Sequence, residues 1–324
     1  FYDTSAPEFY TLSLHDALPI SSSSRIMRCE FIITGRCNFY CPYCRHVGGP
    51  DISFDLIKSN IEEINKYNPF AIRFSGGEPT IHPRLLEMVE MVKPSEKIAI
   101  STNGSAKKEL YSQLIKAGVN DFSISLDACC ASEAAKMSGG GMDWDEFIDN
   151  VKFLCKETYV TVGVVLDENN KDKANDIICF AGSIGVSDIR VIPAAQDCNV
   201  LSGIRIDQDL LNKYPILKYR YNNLISKRPV RGIFENDTHK CPLVLDDLAV
   251  MGDKHYPCII YMRESGNPIG KIGPNMRKER KEWFESVDVF KDKICQKNCL
   301  DVCKDYNSKF MSLRGDNYEL SKNG

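Results

Sequence analysis

Cys37-Asn38-Phe39-Tyr40-Cys41-Pro42-Tyr43-Cys44 follows directly on the apolar run Phe31-Ile32-Ile33 and spaces three cysteines C-x3-C-x2-C. Three thiolates are one fewer than the four that usually enclose an iron–sulfur cube. A cube held this way keeps one iron open, and an open metal position is where chemistry can occur. Zinc is the competing occupant, but it prefers four ligands in paired C-x2-C hairpins.

About thirty residues on, Phe74-Ser75-Gly76-Gly77-Glu78-Pro79 closes a second apolar run. Glycines at such a point let a ligand approach bare backbone, because no Cβ stands in the way. Short β-branched runs then alternate with amphipathic stretches. Strands are expected at Arg28–Thr34, Ala71–Ser75, Ile98–Thr102, Asp121–Leu126, Tyr159–Leu166 and Asp188–Ile192, with helices near 53–67, 83–93, 107–117, 143–155 and 170–184. Asp51 and Ser53 are suited to cap the first helix and Asp143 the fourth. Six βα units imply parallel strands with right-handed crossovers. Six is short of a closed eightfold barrel, so the expected fold is α/β, an open, partial (β/α)6 TIM-type barrel. A doubly wound sheet is the main alternative. The barrel is assigned to 27–205 and a smaller domain to 206–324, where the rhythm stops.

The cysteine triad and the Gly-Gly-Glu strand end together resemble the radical S-adenosylmethionine (SAM) superfamily. The resemblance implies a [4Fe–4S] cluster on Cys37, Cys41 and Cys44, with SAM on its open iron. An electron from a flavodoxin- or ferredoxin-type donor then cleaves SAM to a 5′-deoxyadenosyl radical. It further implies that Gly76, Gly77 and Glu78 receive the amino group of SAM, that Tyr43 lies at the adenine, and that Ser125 belongs to the same site. Ser101, Thr102, Asn103 and Asp127 are weaker carry-overs, to ribose, carboxylate or substrate. Arg73 and Arg190 are expected to face the barrel interior, where a guanidinium needs an anion: the SAM carboxylate, a substrate or a neighbouring acid. Arg45 and His46 follow the triad and are placed to tune the cluster or to face solvent.

Cysteines return at Cys241, Cys258, Cys295, Cys299 and Cys303, with a hairpin expected around Gly252. This resembles the SPASM and twitch domains that follow many radical SAM barrels. The full SPASM pattern has seven cysteines with a C-x2-C-x5-C-x3-C run, which is absent here, so the resemblance implies one auxiliary [4Fe–4S] cluster. Its ligands would be Cys241, Cys258, Cys303 and one of Cys295 or Cys299; a structural zinc is the alternative. Cys299 and Cys303 would share a helix face if that stretch is helical. Cys155 and Cys179 read as core filler. Cys198, after the sixth strand, is a candidate hydrogen-atom donor.

The chain has 324 residues, a net charge of −3 and 43% hydrophobic content, with no basic surplus to attract nucleic acid. No apolar stretch reaches the roughly 20 residues of a membrane span. Fourteen clustered cysteines in a chain this long fit reduced thiols in a cytoplasm better than a disulfide scaffold. Residues 11–20 resemble one reading frame of a short-read sequencing adapter, so 1–26 are set aside and expected to be loosely held.

The expected function is a radical SAM enzyme, first a maturase of ribosomally made peptides. With the first strand at Arg28 and no peptide-binding domain expected before it, such a maturase would need a separate recognition protein. A small-molecule dehydrogenase or epimerase of the aminocyclitol kind is the alternative. The barrel is also similar to the cyclase of molybdenum-cofactor biosynthesis, but that family's paired terminal glycines and C-x2-C-x13-C pattern are missing. An iron–sulfur electron carrier is the reading from another class, and it has no use for the polar strand ends.

Overall fold

In the parallel strands side chains alternate between a helix-covered face and a second face, and the two faces differ in character. Cys29, Phe31, Ile33, Ile72 and Phe74 are buried in the main core, whereas Arg28, Glu30, Arg73 and Ser75 line a cavity. The structure is a computed structural model, which describes residues 25–45, 48–93, 95–194 and 204–314.

The strands are β1 (Arg28–Thr34), β2 (Ala71–Gly76), β3 (Lys97–Thr102), β4 (Asp121–Ser125), β5 (Tyr159–Leu166), β6 (Asp188–Pro193), β7 (Asp247–Met251), β8 (Lys254–Tyr256) and β9 (Gly270–Lys271). They form one nine-stranded sheet in the order β6-β5-β4-β3-β2-β1-β7-β8-β9. The first six are mutually parallel. The sheet is open, consistent with the expected partial barrel. β7 adds a seventh parallel strand beside β1, so the C-terminal part of the chain extends the same sheet. β7 and β8 form the expected hairpin, turning at Gly252 with φ 62°.

Between β1 and β6 run α1 (Phe54–Asn65), α2 (Leu85–Glu90), α3 (Lys108–Lys116), α4 (Ala131–Met137), α5 (Trp144–Glu157) and α6 (Ala174–Ser183). The short α4 was not anticipated. Asp143 caps α5 through the Glu146 amide at 3.1 Å. The proposed caps of α1 are corrected: Ser53 makes no capping bond, and Asp51 instead accepts from the Thr34 hydroxyl at 2.6 Å and pairs with Arg36. Ile26, expected to be loosely held, is 0% exposed and joins the core.

The stretch without strand rhythm is helical: α7 (Gln208–Lys213) and α8 (Pro215–Ile225), the latter packed on β6. After β8 come α9 (Ile259–Arg263), α10 (Met276–Ser286), α11 (Lys293–Asn298) and α12 (Asp301–Arg314). Arg280 of α10 is fully buried and donates to the carbonyls of Val244, Tyr256, Asp247 and Pro257. One guanidinium therefore knits the loop before β7 to both ends of the hairpin. Among the described residues no helix is long and apolar enough to cross a membrane, and no described cysteine is in a disulfide.

Candidate functional site

Parallel strands place their polar ends on one rim, and here the rim is clasped by a single carboxylate. Glu78, 1% exposed, accepts from the Thr80 amide and hydroxyl (3.0 and 2.6 Å), the Thr102 hydroxyl (2.7 Å) and the Asn103 amide (2.6 Å). Burial raises its pKa, and these four donors oppose the rise. The carboxylate thus ties the end of β2 to the end of β3. The Asn103 side chain is likewise engaged, donating to Asn38 at 2.9 Å in the cysteine loop.

The glycines, which line the cavity, have a second structural reason. A Cβ on Gly77 would lie 2.1 Å from the Arg36 carbonyl oxygen, and one on Gly76 2.3 Å from that of Thr34. The space a side chain would need belongs to the chain leaving β1. Backbone bonds seal the approach, from Gly77 N–H to Thr34 O at 2.9 Å and from Glu78 N–H to Arg36 O at 2.8 Å. The Gly-Gly-Glu segment therefore aims the cysteine loop.

That loop is pinned at three further points. Tyr40 N–H donates to Ser138 O at 2.9 Å, after α4. The Tyr43 phenol donates to Asp127 at the end of β4. Asp127 also accepts from the Val165 amide at 2.6 Å, and burial pushes its carboxyl up to about 7. Arg45 pairs with Glu264 just past α9, which brings the C-terminal part to the loop. His46 and Cys198 lie outside the described residues.

A cavity of about 460 Å³ collects the pieces. Cys37, Cys41, Tyr43 and Cys44 line it, as do Gly76, Gly77, Glu78, Ser101, Thr102, Asn103, Ser125, Asp127 and Arg190. Cys258 and Cys303 reach the same space from the C-terminal half. Sequence reasoning missed Arg28, Glu30, Arg220, Arg231, Asp247 and Arg263, which also line it. Glu30 carried a signal, an acid inside an apolar strand; the C-terminal arginines carried none.

The five C-terminal cysteines are gathered together. Burial raises Cys299, and Cys303, Cys241, Cys258 and Cys295 raise it further; Cys258 is pushed up to about 12. Thiolates this close ionise together only with cationic charge among them, as a bound metal centre provides. The expected shared helix face of Cys299 and Cys303 is corrected: the helix breaks between α11 and α12, with Cys299 at the break and Cys303 buried on α12. Cys179 is exposed on α6 rather than core filler. Among the described residues no three His, Cys, Asp or Glu side chains converge on a single-ion site. A four-iron cube does not require that, since each cysteine binds a different corner.

The family model described as Radical SAM superfamily matches residues 31–181, from β1 to α6. The chain carries a radical SAM domain. Its curated relatives include a probable GTP 3′,8-cyclase of Saccharolobus solfataricus, 29% identical over 168 residues (49% of this chain, 54% of the relative). Another of that name, from Pyrococcus horikoshii, is 30% identical over 159 residues (47% and 51%). The chain thus spans about half the length of these relatives. Among solved structures, Streptococcus suis SuiB bound to precursor peptide SuiA aligns with TM-score 0.56 at 13% identity, over 81% of this chain and 65% of that one. The structure of anSMEcpe with bound AdoMet aligns with TM-score 0.56 at 13% identity, over 92% and 96%. These likenesses are of fold, over 81% and 92% of this chain.

The donor chemistry of this radical SAM domain fits the cofactors its superfamily uses, a [4Fe–4S] cluster and SAM. Three thiols stand on one loop beside a cavity, with Ser125 and a nearby carboxyl, Asp127, at its edge.

Proposed function

We propose that this chain is a radical SAM enzyme, cytoplasmic and served by a low-potential flavodoxin or ferredoxin. Cys37, Cys41 and Cys44 would hold the cluster, and the Gly76–Glu78 strand end, Tyr43, Ser125 and Asp127 would surround SAM. When bound, the cluster and SAM supply a 5′-deoxyadenosyl radical, which takes a hydrogen atom from substrate. The residues do the rest. Glu78 fixes the rim, Tyr43 and Asp127 fix the cysteine loop, and the barrel wall keeps water from the reacting carbon. The C-terminal cysteines would hold one auxiliary cluster, opening on the cavity through Cys258 and Cys303.

The observation that carries this reading is that the cysteine loop, the Gly-Gly-Glu strand end and both cysteine sets meet at one cavity. For substrate, a peptide is supported by the fold shared with SuiB, a protein seen with a precursor peptide; a separate recognition protein belongs to this reading as part of the proposal. A small molecule is favoured by a different observation: about 460 Å³ is within the usual size of small-molecule sites, and its wall is charged. Anaerobically reconstituted, dithionite-reduced protein is expected to convert SAM to 5′-deoxyadenosine. If none forms while both clusters are present, the chain is an electron carrier and the proposal fails.

A further inference from the structure

Helix α9 joins the two groups of cysteines. Cys258 caps its start, where the thiol sulfur accepts from the Tyr261 amide at 3.4 Å. Tyr261 Oη donates to Asp292 at 2.9 Å, and Asp292 caps α11, which carries Cys295. The far end of α9 reaches the cysteine loop and the strand end. Glu264 pairs with Arg45, next to Cys44, and Arg263 Nη2 donates to the Gly76 carbonyl oxygen at the end of β2. Met262, between the two ends, is buried and packs with Ile32, Ala249 and Tyr256, which seats the helix on the sheet.

Arg263 lines the cavity together with Gly76, Gly77 and Glu78. Its bond to Gly76 is 3.4 Å long, beyond the usual range of an N–H donor, and therefore weak. Among the described residues Arg263 is in no ion pair. The carboxylates of this rim are held by other groups: Glu264 by Arg45, Asp127 by Tyr43 and Val165, and Glu78 by its neutral donors. A guanidinium has five N–H donors in a fixed fork that matches the two oxygens of a carboxylate. Here one of them makes a long bond to a neutral acceptor, on the wall of a cavity that faces the cysteine loop.

We infer that Arg263 is a cofactor-binding residue supplied by the C-terminal part, whose guanidinium takes the carboxylate at the methionyl end of SAM. The inference rests on the radical SAM reading, in which the Gly76–Glu78 strand end receives the amino group. Ammonium and carboxylate stand on one carbon of an amino acid, so a cation at the Gly76 carbonyl is within reach of the carboxylate as well. Exchanging the Gly76 oxygen for a carboxylate replaces a long bond by charge-assisted ones and leaves that carbonyl to the ammonium. Because Cys258 caps α9, the helix that presents Arg263 to the cofactor is anchored in the second group of cysteines.

The test reads binding rather than turnover. Anaerobic equilibrium dialysis of the cluster-loaded protein gives dissociation constants for SAM and for decarboxylated SAM, which keeps the sulfonium and the ammonium but lacks the carboxylate. Arg263→Gln is expected to weaken SAM roughly 10- to 100-fold, as loss of hydrogen bonds to a charged group does, and to change decarboxylated SAM by less than about 2-fold. Arg263→Lys, which keeps the charge but not the fork, is expected to recover part of the loss. SAM affinity in Arg263→Gln within about 2-fold of wild type overturns the inference, and so does an equal loss for both ligands, which marks a general disturbance of the site. Wild-type protein gives a second readout: SAM, and not decarboxylated SAM, is expected to shield Arg263 from phenylglyoxal, followed by peptide mass spectrometry. Equal labelling with and without saturating SAM overturns the inference whether or not the variants fold. Cluster-loaded wild-type protein that binds no SAM removes the radical SAM reading itself, whereas SAM binding indifferent to Arg263 removes only the role of that residue.

Discussion

The phenol of Tyr43 donates to the carboxylate of Asp127, linking the cysteine loop to the end of β4 across 84 positions of sequence. Asp127 is held in turn by the Val165 amide of β5. The loop that carries Cys41 and Cys44 is therefore referenced to the middle of the sheet as well as to its own strand. Tyr43→Phe removes one bond and leaves a buried carboxyl short of a donor. It is expected to lower stability by about 1–2 kcal/mol and to slow 5′-deoxyadenosine formation. Urea unfolding and product assay check this, and a variant matching wild type in both would mean the link is idle.

Glu78 joins two strand ends through four accepted bonds. Glu78→Gln replaces an acceptor by a donor facing N–H or O–H groups. A loss of about 2–4 kcal/mol is expected, since bonds to a charged group are strong and buried donors would be left unmet. Thr102→Val, deleting one donor, should cost about 1 kcal/mol. Equal effects of the two variants would argue against the clasp.

Gly77 has backbone where a side chain would be. A methyl group 2.1 Å from Arg36 O can be accommodated only by moving the chain that leads into Cys37. Gly77→Ala should therefore lower the iron retained per chain as well as the melting temperature. Unchanged iron content with an unchanged melt would show that the approach is looser than drawn.

His255 is fully buried between Arg280 and Glu279. Arg280 Nη1 donates to its Nδ1 at 3.1 Å, so Nδ1 carries the lone pair and Nε2–H donates to Glu279 at 3.0 Å. Burial, and then Arg280, pushes its pKa down to about 3, against about 6.5 unfolded. The unfolded chain binds the extra proton, so this contribution is intact above about pH 6.5 and is lost toward pH 3, by at most about 1.4 kcal/mol per pH unit. Chemical denaturation across that range should show the slope, and His255→Gln should flatten it.

Replacing Cys37, Cys41 and Cys44 together by alanine is expected to leave about four irons per chain, the content of one cluster. Near-zero iron in a folded variant would remove the auxiliary site. Single Cys295→Ala and Cys299→Ala variants on that background then show which thiol is a ligand, by which of the two loses the residual iron.

Much of the barrel could be read without coordinates because its signals are local. The runs at 28–34 and 159–166 announce strands by composition, and Asp143 announces a helix start as a capping residue. Misreadings came where a partner distant in sequence decides the outcome. Asp51 looked like a cap until Arg36 and Thr34 were beside it. The glycines at 76 and 77 were explained by ligand access alone, and only the fold shows that the chain after β1 also fills the space of their missing side chains. Residues 206–225 lack strand period because they form helices α7 and α8, and Cys299 escapes the helix because α11 ends beside it.

From residue types and spacing alone followed the three-thiol loop, the parallel βα order and a second group of cysteines, since each depends on neighbours within a few positions. Folding supplied the rest: the joining of β7 to β1, the approach of Cys258 and Cys303 to the cavity, and the reach of Arg263 from α9 to the end of β2. Such contacts depend on how strands stack side by side, and periodicity along one chain carries no record of which side chains will face each other across a barrel.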